Sequence, residues 1–303
     1  MKIGLALDNF VPPGEKPDIQ KMVRISKKAE ELGFESVWTW DHLLLGSKNV
    51  FPVLDSLTTL AYIAAHTNTI GLGTLYILPL RKPLVSAKVI STLSYVSGDR
   101  LMLAVAAGWY EREFAAVGAD FQKRGRLLTE YVKALRMLLQ EKDINMVVDD
   151  QRFDHVTIEP RPSKPVKIFM GGYVDTVLKR VATVSDGWMS YYYKEEDFIK
   201  SVKFIESHSS GRPLEHSNMV PIYLGADGKT KVYDFTRKYM DLPQWSSCSV
   251  ESGIYGEAEE VLKRIKSYQA AGVSRLVLIP AFYEEDQVEK IGSALQSFLK
   301  KDS

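Results

Sequence analysis

One imidazole set among glycines and aromatic rings is the feature of this sequence closest to chemistry. His42 follows Asp41 directly after a short apolar run, Ser36 to Trp40. Other apolar runs end in Asp8, Leu75-Tyr76, Gly108-Trp109, Gly171-Gly172 and Tyr191-Tyr192. Taken together, these positions offer one histidine, two acids, several aromatics and three glycines. No cluster of His and carboxylates stands at metal-ligand spacing, so no metal site is expected. No Gly-x-Ser-x-Gly elbow is present, and Gly-Lys-Thr at 228–230 lacks the upstream glycine of a phosphate-cradling loop. A lone titratable ring in a glycine-lined, aromatic pocket suits a flat heterocyclic cofactor, which would carry the chemistry while the protein orients it.

These residues can act together only if the fold gathers them. Short apolar runs alternate with helical periods along the chain. Strands are expected at 3–7, 36–40, 70–76, 101–106, 166–170, 187–190, 220–224 and 276–279. The first helix opens at Pro17-Asp18 and stops at Gly33, with Met22, Ile25, Ala29 and Leu32 on one face. Further helices are expected near 54–66, 84–97, 124–140, 174–184, 195–207, 256–271 and 286–300. Strands two to four begin about 33 residues apart, the size of one βα unit. Eight such units in a chain of 303 residues predict an α/β fold, a (β/α)₈ TIM barrel, with a doubly wound sheet as the alternative. The catalytic face of such a barrel is the C-terminal end of its strands, where the residues named above fall.

Two stretches exceed the repeat and read as insertions after strands 4 and 7. In 141–165, Val147-Val148 and Val156-Thr157-Ile158 flank an Asp-rich turn, which predicts a small hairpin. Residues 225–255, with Pro243, Trp245 and Gly253, read as a lid over the barrel mouth. Residues 1–303 then form a single domain. Lys and Arg total 39 against 38 Asp and Glu, so a net charge of +1 offers nothing to a phosphate backbone and nucleic acid is not an expected partner. No apolar stretch reaches the length of a membrane span. Cys248 is the single cysteine, which excludes an internal disulfide framework. Together with the absence of a signal peptide, this predicts a cytoplasmic protein.

Six strings, in order, resemble the bacterial luciferase-like flavin and deazaflavin oxidoreductases. They are GFESVWTWDHL at 33–43, AAHTNTIGLGTLYILPLRKP at 64–83, SGDRLMLAVAAGW at 97–109, RGRLLTEYVKALRMLL at 124–139, FMGG at 169–172 with SDGW at 185–188, and YQAAGVSRLVL at 268–278. The resemblance covers most of the chain. It implies a barrel that binds coenzyme F420, an 8-hydroxy-5-deazaflavin, or alternatively FMN. Trp-Asp-His after strand two favours the deazaflavin branch and hence hydride transfer with a small organic substrate. The rivals are an FMN-dependent monooxygenase and a flavin-binding protein without turnover.

The resemblance also implies roles. His42 would give or take a proton at the ring, as an imidazole with an ordinary pKa of about 6.5 can. Asp41 would orient that imidazole or bind a cofactor hydroxyl. Leu75-Tyr76 matches a position where the branch carries a non-prolyl cis peptide behind the ring, with Gly73 and Thr74 beside it. Ala107, Gly108 and Trp109 would approach the ring, and Trp109 stands where sugar-phosphate dehydrogenases of the branch carry an acid. Met170, Gly171 and Gly172 would hold the phosphate, glycine allowing close approach at a helix N-terminus. Glu111 and Glu113 read as helix N-terminal acids, with Glu113 the reserve proton carrier beside Asp8. Tyr191, Tyr192 and Tyr193 line the substrate side or pack beneath the lid. His66, His155, His208 and His216 read as structural or solvated residues on helices and outer loops. Helix 54–66 is apolar on most faces (Leu54, Leu57, Leu60, Ala61, Ile63, Ala64, Ala65), which predicts a homodimer.

Overall fold

Alternate residues of a strand face opposite ways, and here both faces are buried. The computed structural model describes residues 1–240 and 243–299, and the side chains of Met240 and of residues 243–246 lie outside that description. The strands are β1 (Lys2–Ala6), β2 (Ser36–Thr39), β3 (Gly71–Ile77), β4 (Leu101–Ala106), β5 (Ile144–Val148), β6 (Gln151–Val156), β7 (Lys167–Gly171), β8 (Gly187–Tyr191), β9 (Glu215–Leu224), β10 (Ile254–Gly256) and β11 (Arg275–Pro280). The helices are α1 (Ile19–Leu32), α2 (Ser56–Ala64), α3 (Pro83–Val96), α4 (Glu111–Ala116), α5 (Arg124–Gln140), α6 (Asp175–Val184), α7 (Glu195–Ser207), α8 (Gly228–Met240), α9 (Pro243–Ser252), α10 (Ala258–Ala270), α11 (Glu285–Ala294) and α12 (Gln296–Leu299).

Parallel pairing runs β1–β2–β3–β4–β7–β8–β9–β11 and back to β1, so eight strands close a barrel inside the helices. Outward residues such as Leu5, Val37, Leu72, Leu103 and Ile168 pack against the helices in one large core. Inward residues form a second core around Trp38, Met102, Phe169, Met189 and Met219. Glycine makes room for the indole: a Cβ on Gly73 would lie 2.2 Å from the Trp38 ring, and one on Gly4 3.0 Å from its Nε1. The Arg275 guanidinium lies 5.1 Å from the Phe169 ring and binds Glu35 through two nitrogens at 2.7 and 3.1 Å. With Glu215 and the half-exposed Lys2 and Lys167, that pair closes the floor of the barrel.

The expected strands and helices are found at their places, with a few differences. β9 begins at Glu215 rather than 220, because the polar run His216-Ser217-Asn218 is buried in the sheet. His216 therefore lies on a barrel strand and not on a helix or outer loop. The final helix breaks at Leu295 into α11 and α12. The 141–165 insertion contains the β5–β6 hairpin. The 225–255 insertion holds α8, α9 and β10, and α8 sets Phe235 and Tyr239 against Phe10 and Tyr283 above the strand ends. Pro243 and Trp245 belong to the side chains outside the description. No helix among the described residues is long and apolar enough to cross a membrane.

Candidate active site

His42 stands in the loop after β2 and is held from a distance in sequence. Its Nδ1 lies 2.9 Å from Glu113 Oε2. The backbone N–H groups of Leu43 and Leu44 donate to Glu113 Oε1 at 2.6 and 3.1 Å. Glu113 is in the first turn of α4 and its side chain is fully buried. A carboxylate offers only acceptors, so Nδ1 is the donor and Nε2 is left for other partners. The Trp109 ring covers the imidazole edge-on, with centroids 5.8 Å apart, and is itself exposed.

Asp41 does not orient that imidazole. Its carboxylate accepts from Arg81 through Nη1 and Nη2 at 2.7 and 2.8 Å, from the Ile77 N–H at 2.8 Å and from Ser56 Oγ at 3.3 Å. Both oxygens are engaged and the side chain is buried, so it locks the end of β2 to the end of β3 and is closed to a cofactor hydroxyl. The physical reason is strand alternation: consecutive residues at a strand end turn to opposite faces. The same rule removes three further candidates from the barrel interior. Thr74, Tyr76 and Met170 are buried among the helices; the Tyr76 hydroxyl is 3.2 Å from Ser86 of α3. Leu75, between two of them, joins the inner core. The Leu75–Tyr76 peptide is trans; among the described residues the cis bond is Glu159–Pro160.

The glycines divide in the same manner. Gly108 has φ +83°, and a Cβ there would lie 2.7 Å from Ile77 and 2.9 Å from Phe114, so local packing demands it. Its carbonyl accepts from Arg124 Nε at 3.2 Å. Gly172 has φ +142°, and a Cβ would sit 2.5 Å from Val177. Gly171 differs, because a Cβ there would meet nothing closer than Met189 O at 3.5 Å and Ala106 at 3.9 Å. Those are ordinary van der Waals distances, so a Cβ is tolerated there. Behind the two glycines α6 begins without a side-chain cap on its first N–H groups, and Asp175 stands in that first turn. Ala107 is half-buried against the outer core. Leu43, Leu44, Trp109, Tyr173 and Val174 are exposed around this half of the mouth.

The other half is filled. Trp40 packs edge-on against Phe10 at 5.7 Å and against Tyr191 at 5.4 Å, and Tyr191 stacks on Tyr192 at 3.8 Å. Burial pushes the Tyr192 phenol up to about 12. Asp8 lies near Tyr239 and Tyr283 on this side, and burial raises its carboxyl above the usual range although Lys21 binds it at 2.8 Å. Tyr193 faces away and stacks with Tyr173. The remaining histidines lie apart: His66 and His208 bond nearby carbonyls and His155 pairs with Asp143 on the hairpin. Among the described residues no group of three His, Cys, Asp or Glu side chains is placed to hold a metal.

A family model described as luciferase-like monooxygenase matches residues 1–207. The chain belongs to that family. Among curated members, the F420-dependent glucose-6-phosphate dehydrogenase of Amycolatopsis mediterranei is 28% identical over 55% of this chain and 52% of its own. The FMNH2-dependent dimethylsulfone monooxygenase of Pseudomonas fluorescens is 24% identical over 59% of this chain and 49% of its own. The luciferase-like chain thus spans about half the length of both. A solved F420-dependent secondary alcohol dehydrogenase, bound to an F420–acetone adduct, superposes with a TM-score of 0.80 over 99% of both chains at 17% identity, which shows the shared fold. Relatives in this family use either F420 or FMN.

Proposed function

We propose that the chain is an oxidoreductase that transfers hydride between coenzyme F420 and a small organic substrate. The observation that carries this reading is the His42 imidazole at the end of β2, fixed through Nδ1 by the buried Glu113 and flanked by the exposed Trp109. The residues fit such a cofactor. A Cβ on Gly171 meets only ordinary contacts, and α6 begins without a side-chain cap, so its first N–H groups are offered to a phosphate. When bound, the deazaflavin supplies hydride chemistry that no side chain here possesses. Gly171, Gly172 and the first turn of α6 would hold the phosphate. Leu75, Ala107, Gly108 and Trp109 would cover the ring. His42 holds or moves a proton at Nε2, and Glu113 keeps Nδ1–H in place. FMN, with monooxygenase chemistry, is the second reading, supported by the FMN-dependent relative.

The reading includes a homodimer in the cytoplasm. Val85, Val89 and Val96 form an exposed apolar row on α3 beside the exposed Tyr62 of α2, which supports pairing through these helices. The single cysteine, Cys248, is free and exposed, as a reducing compartment permits. Light scattering on the wild type and on Val89→Arg tests the dimer: a monomeric wild type removes it. Absorption titrations with F420 and FMN test the cofactor. The Gly171→Val variant should fold normally, because a Cβ fits, while its branches crowd the proposed phosphate site and raise the cofactor Kd about tenfold or more. Equal affinity in the folded variant would move the phosphate elsewhere.

A further inference from the structure

We propose that Asp8, beneath the α8 roof on the aromatic half of the mouth, anchors the substrate: its buried carboxylate receives a hydroxyl group carried by a flat organic substrate that displaces the Tyr239 ring. The inference rests on the barrel mouth being the reaction site and names the substrate class it takes. Asp8 follows β1 and its side chain is only 5% exposed. Lys21 binds Oδ2 at 2.8 Å, whereas Oδ1 is buried without a hydrogen-bond partner. A buried acceptor left unmet is costly, so a water or a ligand must meet it.

Its surroundings define the ligand. The Tyr239 phenol is held well above its ordinary pKa, first by burial and then by the Asp8 charge, so the carboxylate and that ring share one space. The Tyr283 phenol is raised too, by burial first, then by Tyr239 and then by the Asp8 charge. Trp40 and Phe10 complete the walls through edge contacts. Ring walls of this kind favour a flat apolar body. The polar group must be a donor, since a carboxylate only accepts. Lys21 already neutralises Asp8, and a substrate ammonium beside it would meet like charge. A neutral hydroxyl meets Oδ1 without that repulsion. The roof is α8, whose Phe235 and Tyr239 rest on Tyr283 and Phe10, so the substrate reaches Asp8 past Tyr239.

The probes are 2-naphthol and 2-methoxynaphthalene, alike in shape and different in one donor, titrated by fluorescence against the full chain. The wild type should bind 2-naphthol about tenfold tighter. Asp8→Leu should bind both equally. Asp8→Asn, which keeps a carbonyl oxygen and is the milder change should leucine not fold, should lose most of the preference. Equal binding by the wild type, or an undiminished preference in either variant, overturns the proposal. F420 and FMN titrations on the same samples separate the two readings. A wild type that binds neither cofactor refutes the proposed function, whereas the naphthol preference still reports on Asp8 alone.

Discussion

At the depth where β4 and β7 end in Ala106 and Gly171, β2 and β8 run into Trp40 and Tyr191. The small residues leave one half of the mouth open in front of His42, with Leu43, Leu44, Trp109 and Tyr173 exposed about it. The large ones fill the other half with rings packed 3.8 to 5.7 Å apart. The open half is held by polar contacts at its edge, Glu113 with His42 and Arg81 with Asp41. The closed half is held by aromatic packing and roofed by α8. The difference teaches that one barrel end can have two halves of opposite character, decided by the size of the last inward residue on each strand.

The largest expected effect sharpens the role of the open half. His42→Asn should lower kcat by roughly 10²–10⁴, about 3–5 kcal/mol, with thermal stability and cofactor Kd near wild type. Glu113→Gln should lower kcat about a hundredfold and displace the pH–rate profile, because the amide N–H faces Nδ1 and imposes the other tautomer. A profile that stays in place would reduce Glu113 to a loop clamp.

The next effect is confined to the closed half. Tyr239→Ala removes a ring packed against Phe10, Phe235 and Tyr283, and should cost about 3 kcal/mol in denaturant unfolding. Cofactor affinity should stay within about twofold. A matching loss of cofactor affinity would join the two halves into one site and break the comparison.

A third effect reaches the floor end of the same side. His216 on β9 is buried without a ring partner, and burial lowers its pKa to about 4 from an ordinary 6.5. Between those values the unfolded chain binds a proton that the folded chain does not. Stability should therefore rise with pH across that window and fall away as pH drops from 6.5 to 4, by up to about 3 kcal/mol. His216→Leu should flatten that part of the curve. A curve unchanged by the substitution would remove His216 as the cause, since the floor carboxylates Glu35 and Glu215, held below their ordinary 4.5, weaken the fold only at lower pH.

The barrel was legible because its signals repeat: eight apolar runs at βα spacing, with helical periods between them. The lid helices were not, since α8 carries Lys229, Lys231, Asp234 and Arg237 among its aromatics and opens on Gly228. His42 was legible by type and place. Its partner was not, because Asp41 stands next to it in sequence while Glu113 reaches it across 71 residues. The usable signal was an acid in the first helical turn after Gly108-Trp109, directly ahead of the buried Phe114. Thr74, Tyr76 and Met170 were misplaced by treating neighbours on a strand as sharing a face.

The Trp38 indole, lodged between Gly4 and Gly73 with Phe169 6.5 Å away, makes the barrel a blind well. Below it the Arg275–Glu35 pair seals the other end. Everything that enters leaves by the same doorway. A cofactor and a substrate bound there, as proposed above, would both come and go past the same strand ends.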